Sequence, residues 1–300
     1  MKPLRLGLVG AGPWGRNYIR TIAGLSETVL TRVASRNPET AALLPPGCKV
    51  VADWRELVHA ADVDAVVIAA PPAAHAEIAL AAIEAGRPVL VEKPLAPGVE
   101  AACRIVAAAA ARPVLVMVDH THLFHPAYEA LKRAAAEHGP VRGIRAAAGN
   151  LGPYRADVST LWDWGPHDVA MCLDLLGAEP AEVEAERLES RPAGAGLAER
   201  LRLGLRFAGG VRADIELDTL REKHRRFAVR LDSRTLTYDG APPAAAADWP
   251  LARALRAFAA AAAHGSRSLD SVELGAAVVR VLARCEQRLA EASGASRGRA

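Results

Sequence analysis

A glycine-rich segment near the start of the chain constrains the fold more than any other feature. GLVGAGPWG (7–15) follows the apolar stretch Leu4–Val9 and places Gly10, Gly12 and Gly15 in the spacing G-x-G-x-x-G. In a strand–turn–helix unit the first glycine permits a tight turn, the second lets backbone approach a pyrophosphate, and the third lets the helix pack on the strand. The segment predicts a dinucleotide-binding unit, and the alternative is a merely glycine-rich turn.

Short apolar runs alternate with helical patterns throughout residues 1–119. Because several runs are apolar along their whole length, they fit parallel strands that are covered on both faces. The rhythm predicts a doubly wound α/β sheet of the Rossmann type, with a ligand crevice at the carboxyl ends of its strands. The predicted strands are Leu4–Val9, Thr28–Ala34, Lys49–Ala52, Ala65–Ala69, Val89–Glu92 and Val114–Val118.

The pattern changes after Asp119, which suggests one domain over residues 1–119 and a second over residues 120–300. Apolar and charged residues alternate in the second domain, as in antiparallel strands with one solvent-exposed face. We therefore expect an α/β domain with an open, mostly antiparallel sheet. We interpret RPAGAGLAE (191–199) as a loop. The predicted strands are 199–207, 211–219, 225–232 and 235–240, and the predicted helices are 126–138, 250–264 and 271–292.

Bulk composition excludes several classes of protein. The chain is 51% apolar and 24% charged, and its net charge of +3 is scattered without a basic run. These values indicate a soluble globular protein that binds neither nucleic acid nor membrane. Because the amino terminus lacks a signal-peptide pattern and the four cysteines lack paired spacing, we expect a cytoplasmic protein with reduced thiols.

The end of the second predicted strand bears on which dinucleotide is bound. An acid about twenty residues past the glycines would hydrogen-bond the ribose 2′-hydroxyl of NAD. This chain has Ser35 and Arg36 there, and a hydroxyl with a guanidinium suits the 2′-phosphate of NADP. NADP is therefore favoured over NAD, unless Arg36 simply points into solvent.

Lys93 stands at the end of the fifth predicted strand, in VLVEKPLA (89–96). A lysine beside a cofactor crevice can donate a hydrogen bond to a substrate oxygen or take a proton from it, whereas arginine never deprotonates. The alternative is that Lys93 only pairs with Glu92 or with a phosphate. From this segment alone the two interpretations are even.

The segment STLWDWGPHDVAMCLDLLG (159–177) supplies possible partners for this lysine. Pro166 is typical of a first helical turn, so the helix should begin between Leu161 and Asp163. Asp163 and His167 then share a helix face, and a carboxylate beside an imidazole favours a proton shuttle. The alternative is a capping aspartate followed by an ordinary histidine.

Three histidines in DHTHLFHP (119–126) raise a different possibility. His120, His122 and His125, completed by Asp163, could be metal ligands, which would imply a metal-dependent hydrolase. No fitting cysteine or histidine set accompanies them elsewhere, and histidines at a domain junction usually bond backbone or line a pocket. We therefore expect no metal.

On these residues the chain resembles the glucose–fructose oxidoreductase / inositol dehydrogenase (Gfo/Idh/MocA) family. VEKPLA after a PPxxH helix is the most specific signature, and the aspartate four residues before a histidine is the second. The match includes GLVGAGPWGRN (7–17), AAPPAAHAEIALAAIEAGRPVLVEKPLA (69–96), LFHPAYEALK (123–132), LWDWGPHDVAMCLDLLG (161–177) and PLARALRAF (250–258).

The resemblance implies an NAD(P)-dependent oxidoreductase that transfers a hydride between nicotinamide and a secondary alcohol or ketone of a sugar, cyclitol or sugar-nucleotide derivative. It also implies that the second domain binds substrate and that its sheet forms homodimer or homotetramer contacts. Ser35, in place of the family's frequent acid, puts a preference for NAD in doubt. The remaining alternative is a non-catalytic NADP-binding sensor or partner subunit.

The resemblance also implies the roles of individual residues. Lys93 is similar to the family's catalytic lysine, and Asp163 and His167 are similar to its aspartate–histidine pair, with His167 or Lys93 as the proton acceptor. Candidate substrate contacts are Lys93, Asn150, Tyr154, Arg155, Asp163 and His167. Candidate cofactor contacts are Gly10, Gly12, Pro13, Trp14, Gly15, Ser35, Arg36, Pro71, His75, Glu92 and Lys93.

Overall fold

A computed structural model describes residues 2–297, with side chains from residue 2 to residue 292. The chain divides into two compact units, each described here by itself. The first comprises residues up to Thr121 together with 244–276, and the second comprises 122–243 and the residues from Ala277 onwards. Within the described residues, none of the helices is both long enough and apolar enough to cross a membrane.

The first unit confirms the predicted parallel sheet. Its strands are β1 (Leu4–Val9), β2 (Thr28–Ala34), β3 (Lys49–Val51), β4 (Ala65–Ile68), β5 (Val89–Glu92) and β6 (Val116–Asp119), and its early helices are α1 (Gly15–Ala23), α2 (Trp54–Val58), α3 (His75–Glu84) and α4 (Val99–Ala111). All pairings are parallel in the order β3-β2-β1-β4-β5-β6. The strand order reverses between β1 and β4, which makes that pair the topological switch point of the sheet.

The second unit is built on a mixed sheet. Its elements are α5 (Pro126–Glu137), β7 (Gly143–Gly149), α6 (Thr160–Leu176), β8 (Glu182–Ala193), β9 (Gly196–Arg206), β10 (Arg212–Asp218), β11 (His224–Arg230) and β12 (Thr235–Tyr238). The strand order is β12-β11-β7-β10-β9-β8, and only the central pair β7–β10 is parallel. The mostly antiparallel sheet is therefore confirmed, and α6 packs against β7, β9 and β10.

Two helices complete the chain, α7 (Pro250–Ala263) and α8 (Asp270–Arg297). α7 belongs to the first unit, where it contacts α1 and β6. Its Leu251, Leu255 and Phe258 are buried. Burial of these apolar side chains stabilises the packing of α7 in the first unit. The division at residue 119 did not anticipate this return.

The interpretation of residues 191–199 as a loop is wrong. β8 and β9 pair as far as Ala193 and Gly196, so Gly194 and Ala195 form a two-residue hairpin turn. Gly194 has φ +53°, a value that glycine adopts without steric cost in such turns. β7 and β8 were not predicted, because alanine, glycine and charged residues hide the alternation of apolar residues.

The predicted start of α6 lies within one residue of the observed one, but the placement of Pro166 in the first turn is wrong, because Pro166 lies inside the helix. The helix begins at Thr160, after Ser159 in an extended conformation. Pro166 removes one backbone hydrogen bond within the helix. The helix is closely packed where this hydrogen bond is missing, because Gly165 and Pro166 are both buried. A Cβ on Gly165 would lie 2.7 Å from Leu282 Cδ2.

Candidate active site

The glycine loop between β1 and α1 leaves room for a ligand at one position only. Gly10 has φ +100°, and a Cβ there would lie 2.6 Å from the Ala69 carbonyl oxygen. A Cβ on Gly15 would lie 2.1 Å from the Gly10 carbonyl oxygen, so both glycines are required by the fold. Gly12 is exposed and would meet no atom within 4 Å. Its bare backbone at the start of a helix fits a dinucleotide pyrophosphate.

Pro13 and Trp14 complete this loop and are exposed, with 44% of Trp14 accessible. The indole nitrogen of Trp14 donates a hydrogen bond to Glu92 Oε1. The last residue of β5 is thereby linked to the glycine loop.

Ser35 and Arg36 follow β2 directly. The Ser35 hydroxyl lies 2.8 Å from Thr40 Oγ1 and accepts a hydrogen bond of 3.2 Å from the Asn37 amide. It therefore holds the loop in which it stands, while Arg36 is exposed. Of the two residues, Arg36 is the one whose side chain is available to a ligand.

Lys93 is half-buried immediately after β5, and its peptide bond to Pro94 is cis. Its backbone amide donates to Glu92 Oε2 at 3.1 Å. Burial, together with a smaller effect of the Lys93 charge, lowers the pKa of His120 to about 3. The amine thus lies within electrostatic reach of a buried neutral imidazole.

His75, at the start of α3, joins the loops that follow β4 and β5. Its Nδ1 lies 2.9 Å from the Pro94 carbonyl oxygen, and its Nε2 lies 2.8 Å from the Ala70 carbonyl oxygen. Pro71, next to Ala70, is exposed. The buried imidazole therefore fixes the backbone on both sides of the predicted crevice.

Two buried residues of this region were missed in the sequence, Tyr18 of α1 and Asp119 at the end of β6. The Tyr18 hydroxyl lies 2.8 Å from Glu92 Oε1 and 2.6 Å from Asp119 Oδ2. Glu92 and Asp119 are register partners on neighbouring strands. An acid ending each of two apolar strands was the available signal.

In the second unit, α6 carries Asp163 and His167 one turn apart, and both are half-buried. The ring of His122 packs edge-on against His167, with centroids 4.9 Å apart. His122 Nδ1 lies 2.6 Å from the Tyr238 hydroxyl. His167 is therefore held by a neighbour that is itself anchored to β12.

Asp168, next to His167, is fully buried and paired with Arg225 of β11 at 2.9 Å. Burial raises the pKa of Asp168, and the Arg225 charge opposes this rise. The pair ties α6 to the sheet directly beside His167. It was not predicted, because no local pattern links residues so far apart in the chain.

The predicted substrate contacts Asn150, Tyr154 and Arg155 lie in the loop between β7 and α6. Asn150 Nδ2 donates to the Gly152 carbonyl oxygen at 3.2 Å, and Arg155 forms an exposed ion pair of 2.7 Å with Asp157. Hydrogen bonding to Asp157 raises the pKa of Arg155, and the Asp163 charge adds to this rise. The structure therefore brings Arg155 within electrostatic reach of Asp163, whereas Asn150 is engaged within its own loop.

The histidines of 119–126 serve local roles. Of the two ring nitrogens of His125, Nε2 donates to the Ala241 carbonyl oxygen at 3.0 Å and Nδ1 accepts from the Ala127 amide at 3.1 Å, which caps α5. Among the described residues, no three histidine, cysteine or carboxylate side chains are grouped so that they could hold a metal ion. The interpretation as a metal-dependent hydrolase gains no support.

Comparisons with known proteins show which family the chain is similar to. A family model for oxidoreductases with an NAD-binding Rossmann fold matches residues 4–120, and a model for the GFO/IDH/MocA C-terminal domain matches residues 133–237. A crystal structure of a protein described as an oxidoreductase from Magnetospirillum magnetotacticum MS-1 superposes with a TM-score of 0.88 at 45% identity, covering 94% of this chain and 99% of that one.

Two curated relatives carry named activities. Inositol 2-dehydrogenase 2 of Paenarthrobacter aurescens (strain TC1) is 33% identical over 232 residues, which are 72% of this chain and 68% of that protein. UDP-N-acetylglucosamine 3-dehydrogenase of Acidithiobacillus ferrooxidans is 32% identical over 187 residues, which are 61% of this chain and 57% of that protein. The match therefore spans little more than half of the second relative.

The two matched domains agree with the resemblance inferred from the sequence. The chain belongs to the Gfo/Idh/MocA family of oxidoreductases, and its first unit is an NAD-binding Rossmann domain.

Proposed function

We propose that the protein oxidises or reduces a secondary alcohol or ketone on a sugar, cyclitol or sugar nucleotide. The observation that carries this proposal is the position of Lys93, a half-buried amine at the end of β5 whose neighbour Glu92 is bonded to the glycine loop. The names of the two curated relatives, which act on inositol and on a nucleotide sugar, support this range of substrates.

The nicotinamide ring, when bound, supplies or accepts the hydride. Gly12, together with the free amides at the start of α1, would bind the pyrophosphate. The proton of the substrate hydroxyl passes to His167, and Asp163 one turn earlier favours the imidazolium that results. Lys93 donates a hydrogen bond to the substrate oxygen and stabilises the negative charge that develops on it.

A substrate panel tests the proposal. Inositols, keto-inositols, free sugars and nucleotide sugars are each incubated with oxidised or reduced NAD and NADP, and the near-ultraviolet absorbance of the reduced nucleotide is followed. We expect turnover with at least one class. Binding of a nucleotide without turnover of any class would favour the non-catalytic sensor instead.

Gly12→Ala should weaken binding of the reduced nucleotide by about tenfold, because overpacking at a close contact typically costs about 1–3 kcal/mol. The midpoint of urea unfolding of the free protein should not change, since a Cβ at Gly12 meets nothing within 4 Å. Titration by nucleotide fluorescence measures the affinity. Gly24→Ala, at the other end of α1, is the matched control and should bind as the wild type does. Equal affinities for all three proteins would contradict the proposed pyrophosphate site.

We also propose that NADP is preferred to NAD, with Arg36 as the residue that distinguishes them. Arg36→Ala should raise the Kd for NADPH by about tenfold, the typical effect of losing one charge-assisted hydrogen bond. The Kd for NADH should stay within about twofold, because NADH lacks the 2′-phosphate. Ser35→Ala is a useful comparison, since its hydroxyl already bonds Thr40 and Asn37. A wild type that binds NADH more tightly than NADPH would refute the preference.

Association of copies through the second sheet remains part of the proposal. The strands β8, β9 and β10 carry cross-strand ion pairs such as Arg206–Glu182 at 3.1 Å and Arg212–Glu184 at 2.9 Å. Such charges favour a polar contact between copies over an apolar one.

A further inference from the structure

Three ionisable groups are buried together at the carboxyl ends of β5 and β6. Tyr18 is 0% exposed, Glu92 5% and Asp119 0%. Both carboxyl groups contact the hydroxyl oxygen of Tyr18, which lies 2.8 Å from Glu92 Oε1 and 2.6 Å from Asp119 Oδ2. Among the described residues, the Lys93 ammonium is a further charged group that acts on this cluster, and the Trp14 indole donates a hydrogen bond to Glu92.

These two contacts cannot both be made by the hydrogen of Tyr18. A phenol has one hydrogen to donate, and an ionised carboxylate can only accept. The second short contact therefore needs a proton on one carboxyl group, which then donates to the Tyr18 oxygen. Burial and the nearby Asp119 charge, opposed by the Lys93 charge, raise the pKa of Glu92 to about 8. Burial also raises the pKa of Asp119.

Glu92 has further contacts that lead out of the cluster. Its Oε1 accepts from the Trp14 indole in the glycine loop, and its Oε2 accepts from the Lys93 backbone amide at 3.1 Å. One side chain thus connects the loop that would bind the pyrophosphate with the residue that carries the amine. The mechanism above does not use this carboxyl group.

We propose that Glu92 is a positioning residue for the pyridine nucleotide. Its carboxyl group, sharing one proton with Asp119 and Tyr18, holds the glycine loop at Trp14 and the backbone at Lys93 in a single arrangement. The inference uses the NAD-binding fold of the first unit, and it rests on the proposed function only where Lys93 is taken to meet the substrate.

Loss of the shared proton should loosen this arrangement. Two ionised carboxylates would then face one phenol, and like charges in a buried site repel strongly. Affinity for the nucleotide should therefore fall as the pH rises through the range in which Glu92 ionises, near 8.

The test is a titration of NADH and NADPH by fluorescence at several pH values from 6.5 to 9, with wild type and two amide variants. In Asp119→Asn, the amide donates permanently to the Tyr18 oxygen and replaces the shared proton. This variant should bind within about twofold of the wild type at pH 6.5, and its affinity should not change with pH.

In Glu92→Gln, the amide nitrogen must face a donor, either the Trp14 indole or the Lys93 amide. Affinity should fall by about tenfold at every pH, the typical effect of losing a hydrogen bond to a charged or buried group. Wild-type affinity in Glu92→Gln, or the same fall with pH in wild type and Asp119→Asn, would overturn the inference.

Trp14→Phe keeps the inference testable if Glu92→Gln does not fold. It removes only the indole donor from a side chain that is 44% exposed, so the core is unchanged. Nucleotide affinity should fall by about threefold to tenfold, and wild-type affinity in this variant would contradict the proposal. Because these titrations need no substrate, absence of turnover with every sugar would refute the proposed function and leave this inference standing.

Discussion

Lys93→Met should lower kcat by about a thousandfold while leaving the Kd of the reduced nucleotide within about threefold. The amine is placed to donate to a substrate oxygen, and removing one donor from a site of developing negative charge typically costs about 100–1,000-fold in rate. His167→Asn should lower kcat by about 100–10,000-fold, the usual contribution of a general acid or base. Stopped-flow measurement of single turnovers with a substrate found in the panel checks both values.

Matched controls separate these losses from unspecific damage. Lys49→Met changes an exposed lysine of β3, and His138→Asn changes an exposed histidine after α5, so both should turn over at the wild-type rate. Lys93→Arg separates two roles of the amine, because arginine keeps the charge but cannot act as a base. If Lys93→Met or His167→Asn retained the wild-type rate, the assignment of that residue would be wrong.

The first unit was largely predictable from the sequence, because each of its elements has a local signal. Leu4–Val9, Thr28–Ala34 and Val89–Glu92 are predominantly apolar segments with the bounds that the structure gives them. The glycine spacing then determines how β1 connects to α1. Local signals of this kind predict parallel strands well, since burial on both faces leaves no room for polar residues.

The second unit was harder to predict, because its sheet depends on long-range pairing. β7 reads GIRAAAG, and nothing in that composition favours a strand until β10 and β11 flank it. The position of Pro166 within α6 was mispredicted for a related reason: tertiary packing of Gly165 on Leu282 accompanies a proline inside the helix. Tertiary contacts overrode local preference in both cases.

In the candidate site, too, some residues have a local sequence signal and others depend on long-range contacts. Lys93 and His167 could be proposed from the sequence because each stands in a recognisable segment. Tyr18, Glu92 and Asp119 meet across as many as 101 positions of sequence, so their shared proton has no local pattern. The acids that end two apolar strands are a signal in the sequence, but only the register of β5 with β6 shows that Glu92 and Asp119 are neighbours.

The buried cluster of Tyr18, Glu92 and Asp119 should also make the stability of the folded protein depend on pH. In the unfolded chain Glu92 ionises near its ordinary pKa of 4.5, whereas in the folded protein burial keeps it protonated up to about pH 8. Between these values the folded state binds one proton more, so stability that is complete below pH 4.5 is lost as the pH rises through 8. We expect the free energy of unfolding of the free protein to fall by about 1 kcal/mol per pH unit on account of Glu92.

Between pH 6.5 and 8 the effect of Glu92 on the free energy of unfolding can be measured without a contribution from the buried histidines. Burial lowers the pKa of His120 to about 3, so its penalty arises only below pH 6.5 and has the opposite direction. Urea unfolding followed by circular dichroism at pH 6.5, 7, 7.5 and 8 should therefore give a falling free energy for wild type. Asp119 and Asp168, whose pKa values burial also raises, contribute with the same sign. Glu92→Gln should remove about 1 kcal/mol per pH unit of the slope, because glutamine has no proton to lose.

Glu77→Gln is the matched control, since Glu77 is exposed on α3 and paired with Arg55 at its surface. A surface ion pair contributes little, so this variant should keep the wild-type slope. An equal slope in Glu92→Gln and wild type would mean that Glu92 is already ionised at pH 6.5. The proton shared with Tyr18 would then lie on Asp119, whose pKa burial also raises. The slope therefore reports whether Glu92 is the group that holds the shared proton at neutral pH.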